Sequence, residues 1–221
     1  MRNLLGELCL KERNYPEAIQ AASEAVHLAP RWWAPYQNLA RARFAADDPA
    51  GGLAAYEAGV KATQAPELVV KLAAVYEQQG RFEDAIRQYE LLHDRRPRLK
   101  LAANNLAMLL VTHRQDRASL DRARDLSASF ANSDVAALLD THGWVLFKRG
   151  EVSEALPELQ KASAGAPDSK VILYHLGMAL LKSGQPDKAR AILEAALAGE
   201  ASFTGAEDAR IALAQLGGRT G

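Results

Sequence analysis

Residues Val69–Pro97 read VVKLAAVYEQQGRFEDAIRQYELLHDRRP, and this stretch decides the fold. Val69, Leu72, Ala73 and Tyr76 recur at helical spacing and give one apolar face. Gly80-Arg81 then interrupts the run, because a glycine past a helix end can turn left-handed and satisfy the last carbonyls. A second helical run carries Phe82, Ala85 and Tyr89 and stops before Pro97, where proline cannot continue a helix. The stretch therefore predicts two helices joined by a tight turn, with small residues where their backbones must approach.

Outward from Ala73, the same small residue after a leucine-type position recurs at Gly6, Ala40, Ala107, Gly143 and Gly177, with spacings of 34, 33, 34, 36 and 34 along the six. The preceding residues, Leu5, Leu39, Leu72, Leu106, His142 and Leu176, are the inward knobs of a first helix, A. A second small series follows twelve residues later at Ala18, Gly52, Ala85, Ala155 and Ala189; Ala123 follows by sixteen. Further turns stand at Asp47-Asp48-Pro49, Gly150-Glu151 and Gly184-Gln185-Pro186, and Pro30 and Pro167 close second helices as Pro97 does. Two interleaved series holding one period mark a helical repeat array.

This pattern of Leu-Gly or Leu-Ala, then Ala, an aromatic and Pro resembles the tetratricopeptide repeat (TPR). The resemblance covers essentially the whole chain. It implies an all-α, right-handed αα superhelix (a TPR solenoid) of about six helix pairs plus a C-terminal capping helix. One solenoid over 1–221 is expected, with repeats at about 1–32, 33–65, 66–99, 100–135, 136–169 and 170–203 and the cap at about 206–216. Three departures stand out. The fourth unit carries about four extra residues near His113 to Leu120, which predicts a protruding turn and a short junction with the fifth. Pro157 falls inside a second helix. Met1 already lies inside the first helix without a capping residue, which predicts a piece of a longer array and an uncovered apolar face.

In the C-terminal half, Asn104-Asn105-Leu106-Ala107, Leu139-Asp140-Thr141-His142-Gly143-Trp144 and Tyr174-His175-Leu176 also resemble the C-terminal repeats of bacterial TPR lipoproteins linked to exopolysaccharide and PEP-CTERM loci. That narrower likeness implies an accessory scaffold of a bacterial envelope system. The lipoprotein signal of those proteins is missing here, so the expected compartment is cytoplasmic for this chain alone and periplasmic or envelope-associated for a lipoprotein fragment.

Composition narrows the function. The chain is 48% hydrophobic and 24% charged but only 6% aromatic, which suits close-packed helices. Its 27 basic and 27 acidic residues cancel, against the basic excess of a nucleic-acid binder. No run approaches the length of a membrane span. Cys9 stands alone, so no internal disulfide forms. The five histidines form no i, i+4 pair with each other or with Cys9, so helical metal-ligand spacing is missing. His142, in a leucine position, is expected to be a hydrogen-bonded core histidine, and Cys9 a buried, inert thiol. No phosphate-cradling glycine loop is present. Neither an enzyme nor a cofactor or metal site is expected.

The expected function is non-catalytic capture of a peptide or helix of a protein partner on the concave wall formed by the A helices. The candidate contacts are Asn38, Arg41, Lys71, Asn104, Asn105, Met108, Thr141, Trp144, Phe147, Tyr174, His175 and Met178. The first three units offer polar groups there, and the last three offer aromatics and methionines among amides, as peptide grooves do. The competing assignment for Trp144 and Phe147 is core packing across the short junction. The carboxylate clamp of chaperone-tail TPRs is not carried over, because Asn3, Asn38, Glu67 and Lys71 break its pattern. Arg95-Arg96-Pro97-Arg98 with Lys100 is the one basic cluster, a solvated turn or a contact for an acidic segment or nucleic acid. The alternative function is self-association through the uncapped first repeat.

Overall fold

The computed structural model describes residues 1–114, 116–199 and 202–217. Among them run thirteen α-helices and no strand: α1 (Arg2–Lys11), α2 (Tyr15–Leu28), α3 (Trp33–Ala45), α4 (Pro49–Thr63), α5 (Pro66–Gln78), α6 (Phe82–Arg95), α7 (Lys100–His113), α8 (Arg117–Ser127), α9 (Ala136–Lys148), α10 (Val152–Gly165), α11 (Lys170–Lys182), α12 (Pro186–Leu197) and α13 (Ala206–Gly217). The fold is all-α, with odd-numbered A helices and even-numbered B helices alternating along the chain.

One turn geometry generates the alternation. The links after α1, α3, α5, α9 and α11 are three residues long, and the middle residue is left-handed: Arg13 at φ 59°, Asp47 at 61°, Gly80 at 70°, Gly150 at 86° and Gly184 at 78°. The next residue's N–H then reaches the carbonyl five residues back. The five bonds, Asn14 to Cys9, Asp48 to Arg43, Arg81 to Tyr76, Glu151 to Leu146 and Gln185 to Leu180, measure 2.8–3.0 Å. They satisfy carbonyls that the helix end leaves open. Several B helices begin on a side-chain cap: Asp48 accepts from the Gly51 N–H at 2.8 Å and Asp116 from Ser119 at 2.9 Å.

The small-residue series sits where the helices touch. Ala40, Ala73 and Ala107 on A helices, and Ala18, Ala85, Ala123, Ala155 and Ala189 on B helices, are fully buried. At Gly143 an added Cβ would lie 2.7 Å from the Leu159 Cγ, and at Gly177 2.6 Å from the Leu193 Cγ. Leu159 and Leu193 are themselves fully buried, each contributing about 1.5–3 kcal/mol by leaving water.

Contacts divide the chain into two compact units, Met1–Ala102 and Ala103–Gly221. In the first, successive helices from α1 to α6 pack on one another, and α1 also meets α3 and α3 meets α5. In the second, α9 meets α11 and α11 meets α13 in the same way. Helix α13 packs on α11 and α12, so it stands where the A helix of a further pair would stand and closes the apolar face behind it.

The fourth repeat departs from expectation. Its extra residues lengthen a helix: α7 runs to His113 and α8 starts at Arg117. The insertion is absorbed as helix, because Ala123 is the seventh residue of α8 whereas Ala85, Ala155 and Ala189 are the fourth of theirs. Gln115, between α7 and α8, and positions 200 and 201 of the sixth repeat lie outside the described residues. The short junction to α9 is spanned by a 3₁₀ turn at Ala128–Phe130, whose Phe130 is fully buried. Pro157 lies inside α10, where it leaves the Ser153 carbonyl without its helical donor.

Candidate partner-binding surface

The A helices meet through a repeated polar step. Counting back from the small residue of each A helix, the residue two before it bonds to the residue three before it on the preceding A helix. Asn38 Nδ2 donates to Asn3 Oδ1 at 2.9 Å and to Glu7 Oε1 at 3.0 Å. Thr141 Oγ1 donates to Asn104 Oδ1 at 2.7 Å. His175 Nδ1 lies 2.9 Å from both oxygens of Asp140, so the ring carries a proton on Nδ1 and the carboxylate accepts it. Asn104 also donates to Asn105 at 3.1 Å. Helix α5 interrupts the step, presenting Val70 and exposed Lys71 at these positions.

In the C-terminal unit an aromatic stack lies along the same row. The Trp144 ring stacks on His175 at 3.9 Å and 16°, and on Phe147 at 4.8 Å and 11°. Tyr174 tilts against both Trp144 and His175. Its hydroxyl donates to Asp208 of α13 at 3.2 Å, and burial with that carboxylate pushes its pKa well up. Gly205 permits the approach, since a Cβ there would collide with the Tyr174 ring.

These contacts correct the expected accessibility of the row. Trp144, Tyr174, His175, Thr141 and Asn38 are 2–6% exposed and satisfy one another, so they form the wall and its joints rather than open contact groups. Trp144 is packed, but on His175 and Tyr174 of the sixth repeat and on Phe147 of its own helix rather than across the junction with the fourth. Asn104, Asn105 and Met108 are half-buried, and Arg41 and Lys71 are exposed. Arg41 lines an open cavity of about 570 Å³ with Lys11, Arg13, Tyr15 and Phe44.

Phe147 and Met178 come together differently. Both remain half-buried and line a cavity of about 310 Å³ with Leu181, Lys182, Ala212, Gln215 and Leu216. The stacked face of Trp144 supports Phe147 from behind, and Lys148 Nζ sits 5.6 Å over the Trp144 ring. Ala212, Gln215 and Leu216 escape the sequence reading because a capping helix is expected only to close an apolar face. The period could have found them: Ala212 lies 34 residues after Met178 and Leu216 lies 35 after Leu181.

Other reactive groups are occupied. His142 Nδ1 lies 3.1 Å from Ser127 Oγ. Both residues are buried, and burial lowers the His142 pKa. Cys9 is 3% exposed, and desolvation followed by the charges of Glu17 and Glu12 pushes its thiol pKa up, away from a nucleophilic thiolate. Among the described residues no helix is long and apolar enough to cross a membrane.

Two tetratricopeptide repeat models match the chain, over residues 38–100 and 146–216, together more than half of its length. The chain belongs to the tetratricopeptide repeat family. A thermophilic TPR protein of Thermus thermophilus superposes with a TM-score of 0.60 at 25% identity, covering 84% of this chain and 98% of that one. YrrB, described as a TPR protein with an unusual peptide-binding site, gives 0.58 at 18% identity over 88% and 100%. PilF of Pseudomonas aeruginosa gives 0.66 at 13% identity over 99% and 96%. None of the curated proteins matches in sequence.

Proposed function

We propose that this TPR chain is a non-catalytic protein-interaction scaffold whose C-terminal unit holds a peptide or helix of a partner. The observation that carries this is the cavity between α9, α11 and α13, where Phe147, Met178 and Leu181 stay half-exposed beside a rigid stacked wall. Its volume of about 310 Å³ is at the lower end of ligand pockets, which suits one or two apolar side chains of a segment. Methionine and leucine adapt to the shape of such anchors. Lys182 and Gln215 at its edge supply a charge and an amide for the segment's backbone. The buried Asp140–His175 and Asn104–Thr141 joints hold the wall before binding, which limits the ordering cost of association.

The test selects peptides from a displayed random library on the immobilised full chain and measures the winners by calorimetry. Met178→Glu and Leu181→Glu are expected to weaken them at least about tenfold, the loss of one apolar anchor, with an unchanged thermal melt. Binding that survives both substitutions rejects the site.

A second reading, self-association, is favoured by Leu4 and Leu8, which stand one helical turn apart on α1 and are 68% and 51% exposed. Light scattering at two concentrations separates it: a monomer at both ends that reading.

A further inference from the structure

A second cavity, of about 280 Å³, opens in the N-terminal unit between the end of α4, the first turns of α5 and the last turns of α6. Val60, Val69 and Leu92 line it, and Leu91 lies beside them 45% exposed. An isoleucine-sized or leucine-sized side chain is the natural filling for such a floor. The cavity is below the usual range for a cofactor or drug-sized ligand.

Its polar lining is unusual in two ways. Gln64 caps α4 in the left-handed region at φ 53°, whereas the ends of α2, α6, α10 and α12 (Ala29, Arg96, Ala166 and Ala198) all keep negative φ. A non-glycine residue held there is strained, because its Cβ crowds the following carbonyl oxygen. That strain keeps an amide side chain in the cavity lining where glycine would relax the backbone. Among the described residues the amides of Gln64 and Gln88 bond to no other group of the protein, leaving donors and acceptors for a guest backbone.

The second feature is charge. Arg95 and Arg96 line the cavity, and Arg98 and Lys100 follow. All four are exposed, and among the described residues none of them is held in an ion pair. Arg2, Arg43, Arg81, Arg124 and Arg149, by contrast, each have a carboxylate partner, as Arg41 among the described residues does not. Glu90 and Asp94 share α6 with the cluster but pair with none of it. In a chain with no net charge, four unanswered cations beside an apolar socket form a surface with two complementary demands. Guanidinium groups bind carboxylates in a fixed fork geometry that ammonium groups cannot match.

We propose that this cavity docks an acidic, extended segment of a partner protein, with one large aliphatic side chain in the socket and flanking carboxylates on Arg95 and Arg96. The apolar floor and single-side-chain volume select a protein segment over a nucleic-acid strand, which would track the cations and leave the floor empty. This surface is separate from the Phe147–Met178 cavity and stands or falls without it.

The experiment follows a dye-labelled peptide, one leucine flanked on both sides by aspartates and glutamates, by fluorescence polarisation against the full chain. Saturable binding is expected, weakened at least about tenfold, or about 1.4 kcal/mol, by Arg95→Glu with Arg96→Glu and by changing the peptide's leucine to serine, since each removes one of the two contacts that docking needs. Arg95→Gln with Arg96→Gln should show the same direction. Binding that is equal for the serine peptide or a lysine-flanked peptide overturns the proposal. So does displacement by inorganic phosphate alone, equal binding of a single-stranded oligonucleotide, indifference to the arginine substitutions, or no binding at all.

Discussion

The A-helix rows of the two units use the same backbone step for different ends. In the N-terminal unit the step is made once, Asn38 to Asn3 and Glu7, and then lapses at Val70 and Lys71. Arg41 and Lys71 are left in solvent. In the C-terminal unit it is made from α7 to α9 and from α9 to α11, and Tyr174 extends the contact to α13. Trp144 stacks across the row. The contrast teaches that large aromatic groups on an inner helix row do not by themselves mark an open groove. Where neighbours of the right size sit one period away, they close on each other, and the edge of the stack, Phe147 with Met178 and Leu181, stays half-exposed.

The sharpest way to break this contrast is Trp144→Ala. Removing a ring that is 6% exposed and stacked on His175 and Phe147 is expected to lower stability by about 3–5 kcal/mol, read by urea unfolding. Arg41→Ala in the other unit should stay within about 0.5 kcal/mol. Comparable losses would mean that the two rows do not differ in packing. Next in size, a double-mutant cycle on Asp140 and His175 should return a larger coupling than one on Asn3 and Asn38. The buried carboxylate–imidazole pair is expected near the upper part of the range for charge-assisted bonds, about 1.5–3 kcal/mol, and the amide pair near about 1 kcal/mol. Equal couplings would remove the electrostatic distinction.

His142 gives a smaller effect with a definite sign. Burial lowers its folded-state pKa below the ordinary value of 6.5. The unfolded chain therefore takes up the proton first, and the folded state loses stability as pH falls below about 6.5 towards the lowered value. The melting temperature should drop over that window and hold steady above it, and His142→Gln should flatten that part of the profile. A wild-type profile that rises on acidification would contradict the burial argument. The smallest expected change is a gain. Arg13→Gly and Asp47→Gly place glycine where Gly80, Gly150 and Gly184 already stand at positive φ. Each should stabilise by about 0.5–1 kcal/mol, measured by the shift in denaturation midpoint. A loss at Arg13 would show that its side chain contributes more than its backbone strain costs.

Sequence alone determined the repeat, the alternation of helices with tight turns, and the buried small residues. Each of these depends on local chemistry or on a period visible in one dimension: left-handed turn positions, prolines after helix ends, alanine or glycine beside a knob. It also placed His142 and Cys9 in the core, because each stands in an otherwise apolar row. It misjudged the insertion near Arg117, since extra residues with helical propensity extend a helix as readily as they lengthen a loop. Only the tertiary structure decided which inner-row side chains are free. Asn104 and Thr141, or Asp140 and His175, lie one repeat apart, and whether an amide, a carboxylate or a ring points to solvent or to its counterpart depends on how closely successive A helices approach. That distance is set by the packing of the small residues between them, which no single repeat contains.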